Sequence, residues 1–357
     1  MKKVLIITQT TNTNSGWGRY SFEIIKNLRN KVEVLILEEG RGENKLFKKD
    51  SFGSFIKNIF LTREVARKAD IIHVLDGWPY AIYGYFAVLG TSKRLFINAV
   101  GTYSIPPSNL SIKSFLMKMA YKRASKVFSI SSYTDGVLKS VIPRVNSSVV
   151  HLGVDQLPEP SDKSVDLVLS RINSRSPVIL TVGALKKRKG QFYTLKAVSE
   201  LKKDYPNILY VMVGDDSDLE YKKEIIYHAK ENNLEGNILI TGLISDENLS
   251  AWYKNSDIFA LNSVNHDDHF EGFGLVIIEA HKFGLPAVGS GGCGIEDAIL
   301  DGKTGYLSQQ EDSTSVEQKI RLILQGNRDK FKKEAREFAN QFSWNKTTNK
   351  YSEFYNS

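Results

Sequence analysis

The sequence predicts an α/β protein of two parallel-sheet domains, and three observations carry that expectation. Short β-branched runs alternate with longer helical patterns along the first half, the alternation restarts near residue 178, and apolar periodicity lapses over residues 155–177. A chain of 357 residues is long enough for two cores of ordinary size, and its 41% hydrophobic and 25% charged residues are those of a globular chain.

In the first half, residues 3–8, 32–37, 71–75, 95–98, 127–130 and 148–151 read as strands. The apolar run after Lys2 and Lys3 is too short for a signal peptide and reads as the first strand. The polar stretch QTTNTNSGWGRY follows at residues 9–20, where Gly16 and Gly18 form a flexible turn before a helix from about Tyr20 to Leu28 that faces Phe22, Ile25 and Leu28 inward. Glu38 at the end of the next strand gives this a superficial likeness to a dinucleotide fingerprint. Ser21 stands where the third glycine belongs, and the glycines come too late after the strand, so that reading is set aside.

Residues 71–80, IIHVLDGWPY, put Asp76, Trp78 and Tyr80 just past a strand's C-terminal end, where open α/β sheets gather ligands. Aromatic faces there suit sugar C–H groups, while a buried aromatic pair beside a turn is the plainer reading; His73 points to the core. Residues 98–107, NAVGTYSIPP, follow the fourth strand. Residues 111–126, SIKSFLMKMAYKRASK, space Ile112, Phe115, Leu116, Met119 and Ala120 as a helix, with Lys113, Lys118, Lys122, Arg123 and Lys126 largely elsewhere. That pattern serves an ordinary surface helix or a face lying on a membrane.

The second α/β series opens with VILTVGALKKRKG at 178–190, whose four cations end a strand and precede Gly190 and a helix. Residues 209–214 and 237–241 read as strands, the latter running into Gly242 and Leu243. Next comes FEGFGLVIIEA at 270–280, in which a helix starts near Gly274 and faces Val276, Ile277, Ala280 and Phe283 inward. A helix N-terminus approached by glycines suits a phosphate or diphosphate. At about 1.5 Å of rise per residue, Glu279 lies roughly 7 Å along the axis and Glu271 stays just outside it. From residue 313 onward the chain reads as helices.

SDIFALNS, FEGFGLVIIEA, FGLPAVGSGGCGIEDAI and DGKTGYL follow one another in an order and spacing that resembles the retaining glycosyltransferases of the GT-B fold, the family 4 type, and the resemblance runs along nearly the whole chain. It implies two Rossmann-like domains facing across a cleft: an acceptor-side domain at 1–157, a nucleotide-sugar domain at 158–340, and a terminal helix at 341–357 returning to the first. It implies that Glu271, Arg188 and Lys189 serve catalysis, and that Gly16, Gly18, Gly183, Gly242, Leu243, Gly272, Phe273, Gly274, Leu275 and Glu279 bind the donor. On the acceptor side it points to Asp76, Trp78 and Tyr103. The sequence departs from the family twice: Val100 stands at or near a frequent sugar-contacting histidine, and Ala184 where an arginine often follows the first glycine, which leaves Arg188 as the second cation.

The implied reaction moves a hexosyl group from a UDP- or GDP-sugar to a hydroxyl of a glycan or glycolipid in bacterial surface glycoconjugate synthesis, with retained configuration and with neither metal nor cofactor. A nucleotide-sugar epimerase of the same architecture and a non-catalytic nucleotide or sugar binder are the alternatives. Two glutamates alone would also suit a glycoside hydrolase, but the cationic surroundings favour phosphate. The formal charge of +8 suits anionic partners, a nucleotide-sugar and the inner face of an anionic membrane, and no nucleic-acid signature accompanies it. A single cysteine fits a reducing cytoplasm, and no stretch reaches the roughly 20 apolar residues of a membrane span. The run His266, Asp267, Asp268, His269 lacks a full structural metal set, and Cys293 lacks a histidine partner for a nucleophilic role.

Overall fold

The computed structural model describes residues 1–13, 15–42, 45–48, 51–107, 111–154, 157–267 and 269–357. The chain forms two compact units, Met1–Gly153 with Ser343–Ser357, and Val154–Phe342. The sequence reading divided it at 157 and 340.

The first unit runs β1 (Lys3–Ile7), α1 (Gly16–Leu28), β2 (Glu33–Leu37), α2 (Phe52–Ala66), β3 (Ile71–Val74), α3 (Tyr80–Val88), β4 (Arg94–Ala99), α4 (Ile112–Arg123), β5 (Lys126–Ser129), α5 (Ser132–Val141) and β6 (Ser147–Val149). Its six parallel strands lie in the order β2-β1-β3-β4-β5-β6. The inner strands are continuous apolar runs because helices cover both faces, and β3 is buried along its whole length.

The second unit runs α6 (Asp162–Ile172), β7 (Val178–Val182), α7 (Gln191–Leu201), β8 (Leu209–Val213), α8 (Leu219–Glu231), β9 (Ile238–Gly242), α9 (Asp246–Asn255), β10 (Ile258–Leu261), α10 (Leu275–Lys282), β11 (Ala287–Ser290), β12 (Gly305–Ser308), α11 (Ser313–Gln325) and α12 (Arg328–Ala339). Its parallel strands lie in the order β12-β11-β10-β7-β8-β9. Strand order reverses between β1 and β3 in the first unit and between β7 and β10 in the second. Those points open crevices at the carboxyl ends of the strands.

The last helix, α13 (Trp344–Asn356), packs in the first unit. A buried polar network holds it. His73 Nε2 pairs with Asn98 Oδ1 at 2.8 Å, His73 Nδ1 pairs with the Tyr355 hydroxyl, and Asn98 Nδ2 donates to the hydroxyls of Tyr20 at 2.6 Å and Tyr351 at 3.0 Å. Burial pushes the His73 imidazole down to about 4, against the Asn98 bond, so the ring is neutral and its two nitrogens divide between donating and accepting. Where the chain leaves this unit, Gly153 lies against the backbone of Ser343 and Trp344 at the point of return, and a Cβ there would sit 2.0 Å from the Trp344 nitrogen. That contact fixes the unit's boundary at 153 and 343.

Three local expectations need correction. Helix α1 starts at Gly16 instead of near Tyr20, because the Ser15 hydroxyl caps it by accepting from Gly18 N. Gly16 and Gly18 therefore lie in the first turn. Phe22 is 39% exposed, and the inward face is Tyr20, Ser21, Ile24, Ile25 and Leu28. In α10 the fully buried residues are Ile277, Ile278, Ala280 and His281, while Val276 and Phe283 are half-buried.

Candidate functional site

At the second unit's switch point, the loop after β7 meets the loop after β10. Residues 187–189 form one 3₁₀ turn ended by Gly190 in the left-handed region at φ 68°. Gly190 is obligatory there: a Cβ would lie 1.7 Å from the Asn262 carbonyl oxygen. Val264 N donates to the Arg188 carbonyl at 2.8 Å, and Asn262 bonds to the hydroxyls of Thr194 and Ser308 at 2.9 and 2.8 Å. The cationic turn is thereby fastened to the end of β10.

Its two cations converge on one carboxylate oxygen. Lys189 Nζ lies 2.7 Å, Arg188 Nη1 3.2 Å and Ser263 Oγ 3.2 Å from Glu271 Oε2. Burial alone would raise the Glu271 carboxyl, but Lys189, Arg188 and Ser263 outweigh it and hold the group below its usual range. The Lys189 stem passes over Gly183, within van der Waals range of where a Cβ would stand.

Glycine also positions the backbone after Glu271. Gly294 N donates to the Glu271 carbonyl at 2.8 Å, and a Cβ on Gly294 would sit 2.0 Å from the Gly272 carbonyl oxygen. The chain then turns through buried Phe273 and Gly274, at φ 84°, into α10, whose N-terminus no side chain caps. Backbone N–H groups at 275 and 276, with the positive end of the helix dipole, lie beside the Lys189, Arg188 and Glu271 cluster in sequence and through the Gly294 contact.

Glu279 lies within α10, past its first turn. Its Oε2 accepts from the Tyr253 hydroxyl at 3.1 Å, and it lines a 440 Å³ pocket with Lys254, Lys282, Phe283 and Arg336. At the end of β9, Gly242 takes φ 70° with the Asp216 carboxylate near it, and Leu243 is 78% exposed.

At the first unit's switch point the floor is Asp76, 2% exposed, at the end of β3. Its Oδ2 accepts from Thr8 Oγ1 at 2.8 Å and Gln9 N at 2.6 Å, both at the end of β1. Its Oδ1 and the Trp17 indole N–H complete no hydrogen bond within the chain. Burial pushes the Asp76 carboxyl up to about 7, against its bonds to Thr8 and Gln9 and the favourable indole beside it. Around it Gln9, Trp17, Trp78, Tyr80, Tyr103 and Lys113 enclose 430 Å³.

Tyr80 is not an open platform: it is 4% exposed, and its hydroxyl donates to Glu39 Oε1 at 2.6 Å. Trp78 stacks on Phe55, and Lys113 Nζ lies 5.5 Å from its ring centroid. Tyr103 is 74% exposed and follows Val100, which is half-buried, and Gly101. The sequence brought Asp76, Trp78 and Tyr103 forward; Trp17 and Gln9 were missed because their stretch lacks a recognisable pattern. Ser263 was quoted in a motif without a role.

The His266 to His269 turn is closed by paired backbone bonds of 2.9 and 2.8 Å between its two histidines; Asp268 lies outside the described residues. Among the described residues no three potential ligand side chains group around a metal position. Cys293 is fully buried, and burial pushes its thiol up to about 11, the opposite of an activated nucleophile. No helix among the described residues is long and apolar enough to cross a membrane.

Residues 166–338 match the family described as glycosyl transferases group 1. Over 67% of this chain, the sequence is 26% identical to a GDP-mannose-dependent alpha-(1-6)-phosphatidylinositol monomannoside mannosyltransferase of Mycolicibacterium smegmatis. Over 56% of it, the sequence is 28% identical to a D-inositol 3-phosphate glycosyltransferase of a Nocardioides species. The matched segments span 63% and 46% of those two relatives. The fold is similar to that of Anabaena Alr3699/HepE, solved in complex with UDP, with a TM-score of 0.84, 19% identity and the whole of both chains covered.

Asp76 gives a pH test. From pH 3.8 to about 7 the folded chain keeps a proton on Asp76 that the unfolded chain has released, so this residue lowers stability as pH rises through that window. Asp76→Asn removes the dependence, and its stability relative to the parent should rise by about 1.4 kcal/mol per pH unit between pH 4 and 7. Urea unfolding of both proteins at several pH values measures this; a constant difference would contradict the buried, charge-costly setting.

Proposed function

We propose, for a chain whose residues 166–338 match the glycosyl transferases group 1 family and which has the GT-B fold, a retaining, metal-independent transfer of a hexosyl group from a UDP- or GDP-sugar to a hydroxyl of a glycan or glycolipid. The observation that carries this reading is the convergence of Lys189, Arg188 and Glu271 beside the uncapped start of α10. Such a site suits a leaving diphosphate, whose growing negative charge is the difficult feature of the reaction.

Lys189 and Arg188 are the catalytic cations. One of them turns from Glu271 toward the diphosphate when the donor arrives, and the N–H groups at Leu275 and Val276 complete the cradle. Glu271, released from one cation, orients the donor sugar with the backbone of Gly272 and Phe273. Glu279 takes the ribose hydroxyls, and the backbone of Gly242 and Leu243 takes the base. In the first unit, Asp76, Trp78 and Tyr103 serve the acceptor. No protein base is assigned; the donor phosphate accepts the acceptor's proton on the face where the new bond forms.

The reading also includes peripheral contact with the inner face of an anionic membrane during surface glycoconjugate synthesis. What supports it is α4. Its buried residues are Ser114, Met117, Ala120 and Tyr121, which leaves Ile112 80% and Phe115 64% exposed beside Lys118 and Lys122. Co-sedimentation with phosphatidylglycerol vesicles should fall sharply in an Ile112→Glu, Phe115→Glu double variant; binding that persists would remove α4 from the contact.

Lys189→Ala should lower transfer by orders of magnitude, far more than its loss of the contact to Glu271 lowers the unfolding midpoint, because the folded protein remains and Arg188 still faces that carboxylate. The assay is release of nucleoside diphosphate from UDP-glucose or GDP-mannose with a glycan acceptor. An unimpaired variant would remove the lysine from the mechanism, and conversion of the donor sugar with no acceptor present would favour an epimerase.

A further inference from the structure

The pocket of the first unit has two chemically distinct ends. At its floor the buried Asp76 Oδ1 and the buried Trp17 Nε1 lie near enough for the indole to favour the carboxylate, but neither completes a hydrogen bond of normal geometry. Leaving such groups unpaired costs free energy that a ligand can recover. A single hydroxyl satisfies both, donating to the carboxylate and accepting from the indole. At the rim stands Lys113, which pairs with no carboxylate among the described residues and is held only over the Trp78 ring. Between the two ends the lining is largely aromatic.

The pocket is built into the fold. Gly77 follows Asp76, and a Cβ there would lie 2.5 Å from the Tyr103 carbonyl oxygen and from Ser104 Cα. Glycine at this position lets the 102–104 turn press onto the end of β3 and sets Tyr103 in the wall. Asp76 in turn joins the ends of β1 and β3 through Thr8 and Gln9. The floor is thus fixed by the Thr8 hydroxyl, the Gln9 N–H and the backbone of the 102–104 turn.

We infer that this pocket is the acceptor subsite and that it takes a pyranose ring bearing an anionic substituent, a carboxylate or a phosphate, with a ring hydroxyl on Asp76 and Trp17 and the anion on Lys113. The inference rests on the proposed transferase reading and names its acceptor class. Charge sets the orientation. The only cation among the described residues lining the pocket, Lys113, stands at the rim and the floor offers none, so the hydroxyl edge enters first and the charged group stays at the rim. Aromatic walls suit the C–H faces of the ring between them. A neutral sugar leaves Lys113 without a partner, and a free inorganic anion gains nothing from the floor.

Titration of the full chain in a Lys189→Ala background, which weakens phosphate binding in the second unit, tests this with four probes: methyl β-glucopyranoside, methyl β-glucuronide, glucose 6-phosphate and inorganic phosphate. Saturation-transfer NMR and tryptophan fluorescence report binding. The two charged sugars should bind about tenfold more tightly than the neutral one, the scale of one charge-assisted contact. Lys113→Gln should abolish that preference and leave the neutral glycoside unchanged, and Trp17→Phe should weaken all three sugars. Phosphate binding as tightly as glucose 6-phosphate, no preference for charged sugars, or a preference that survives Lys113→Gln would each overturn the inference. A preference between glucuronide and glucose 6-phosphate would identify the anion. Stabilisation of the parent chain by nucleoside diphosphate separates the two claims: if it persists while the sugar preference fails, only the acceptor class is wrong, and if it too is absent the transferase reading falls.

Discussion

Two cations and one carboxylate share a partly buried position at the mouth of the second sheet, and much of that unit's loop structure serves to hold them there. A buried ion pair is seldom a source of net stability, since desolvation offsets most of the attraction. What it provides here is a fixed arrangement of charge. Gly190 pressed on Asn262 and Gly294 pressed on Gly272 bring the turn, the end of β10 and the approach to α10 within reach of one another. A larger residue at either glycine would move Glu271 away from Lys189 before it touched the chemistry.

The first unit applies the same topology to a different charge problem. Its switch point buries a lone carboxylate, Asp76, which hydrogen bonds from Thr8 and Gln9 only partly compensate. Behind it, the neutral His73 and Asn98 bind three tyrosine hydroxyls, two of them on α13. The end of the chain is thereby part of the core that supports β3 and β4. The polar network there is fully partnered, while the floor of the pocket is not.

Much of this was legible in the sequence because the responsible residues are local signals. The strand and helix alternation gave the two sheets, and the motif series from 256 onward gave the GT-B fold. That Lys189 and Glu271, 82 positions apart, belong to one site was implied only by resemblance, and their ion pair was not expected, since no periodicity links the two. The Ser15 cap starts α1 four positions before the expected point, and the buried face of Tyr20, Ser21, Ile24, Ile25 and Leu28 leaves Phe22 outside. The burial of His281 and the exposure of Ile112 and Phe115 depend on which neighbour each helix packs against. Gln9 and Trp17 at the pocket, like Tyr253 at Glu279, are tertiary facts with no sequence pattern.

The central claim is that the charge cluster at the end of β7 and β10 binds a nucleoside diphosphate. The measurement that tests it most directly is the shift in unfolding temperature of the intact protein with UDP, GDP, ADP and CMP, each at millimolar concentration, because a ligand selective for the folded state raises that temperature. The account predicts a clear rise with UDP or GDP, a smaller one with the monophosphate CMP, and loss of the rise in Glu279→Ala. No response to any diphosphate, or an equal response to all four nucleotides, would contradict it.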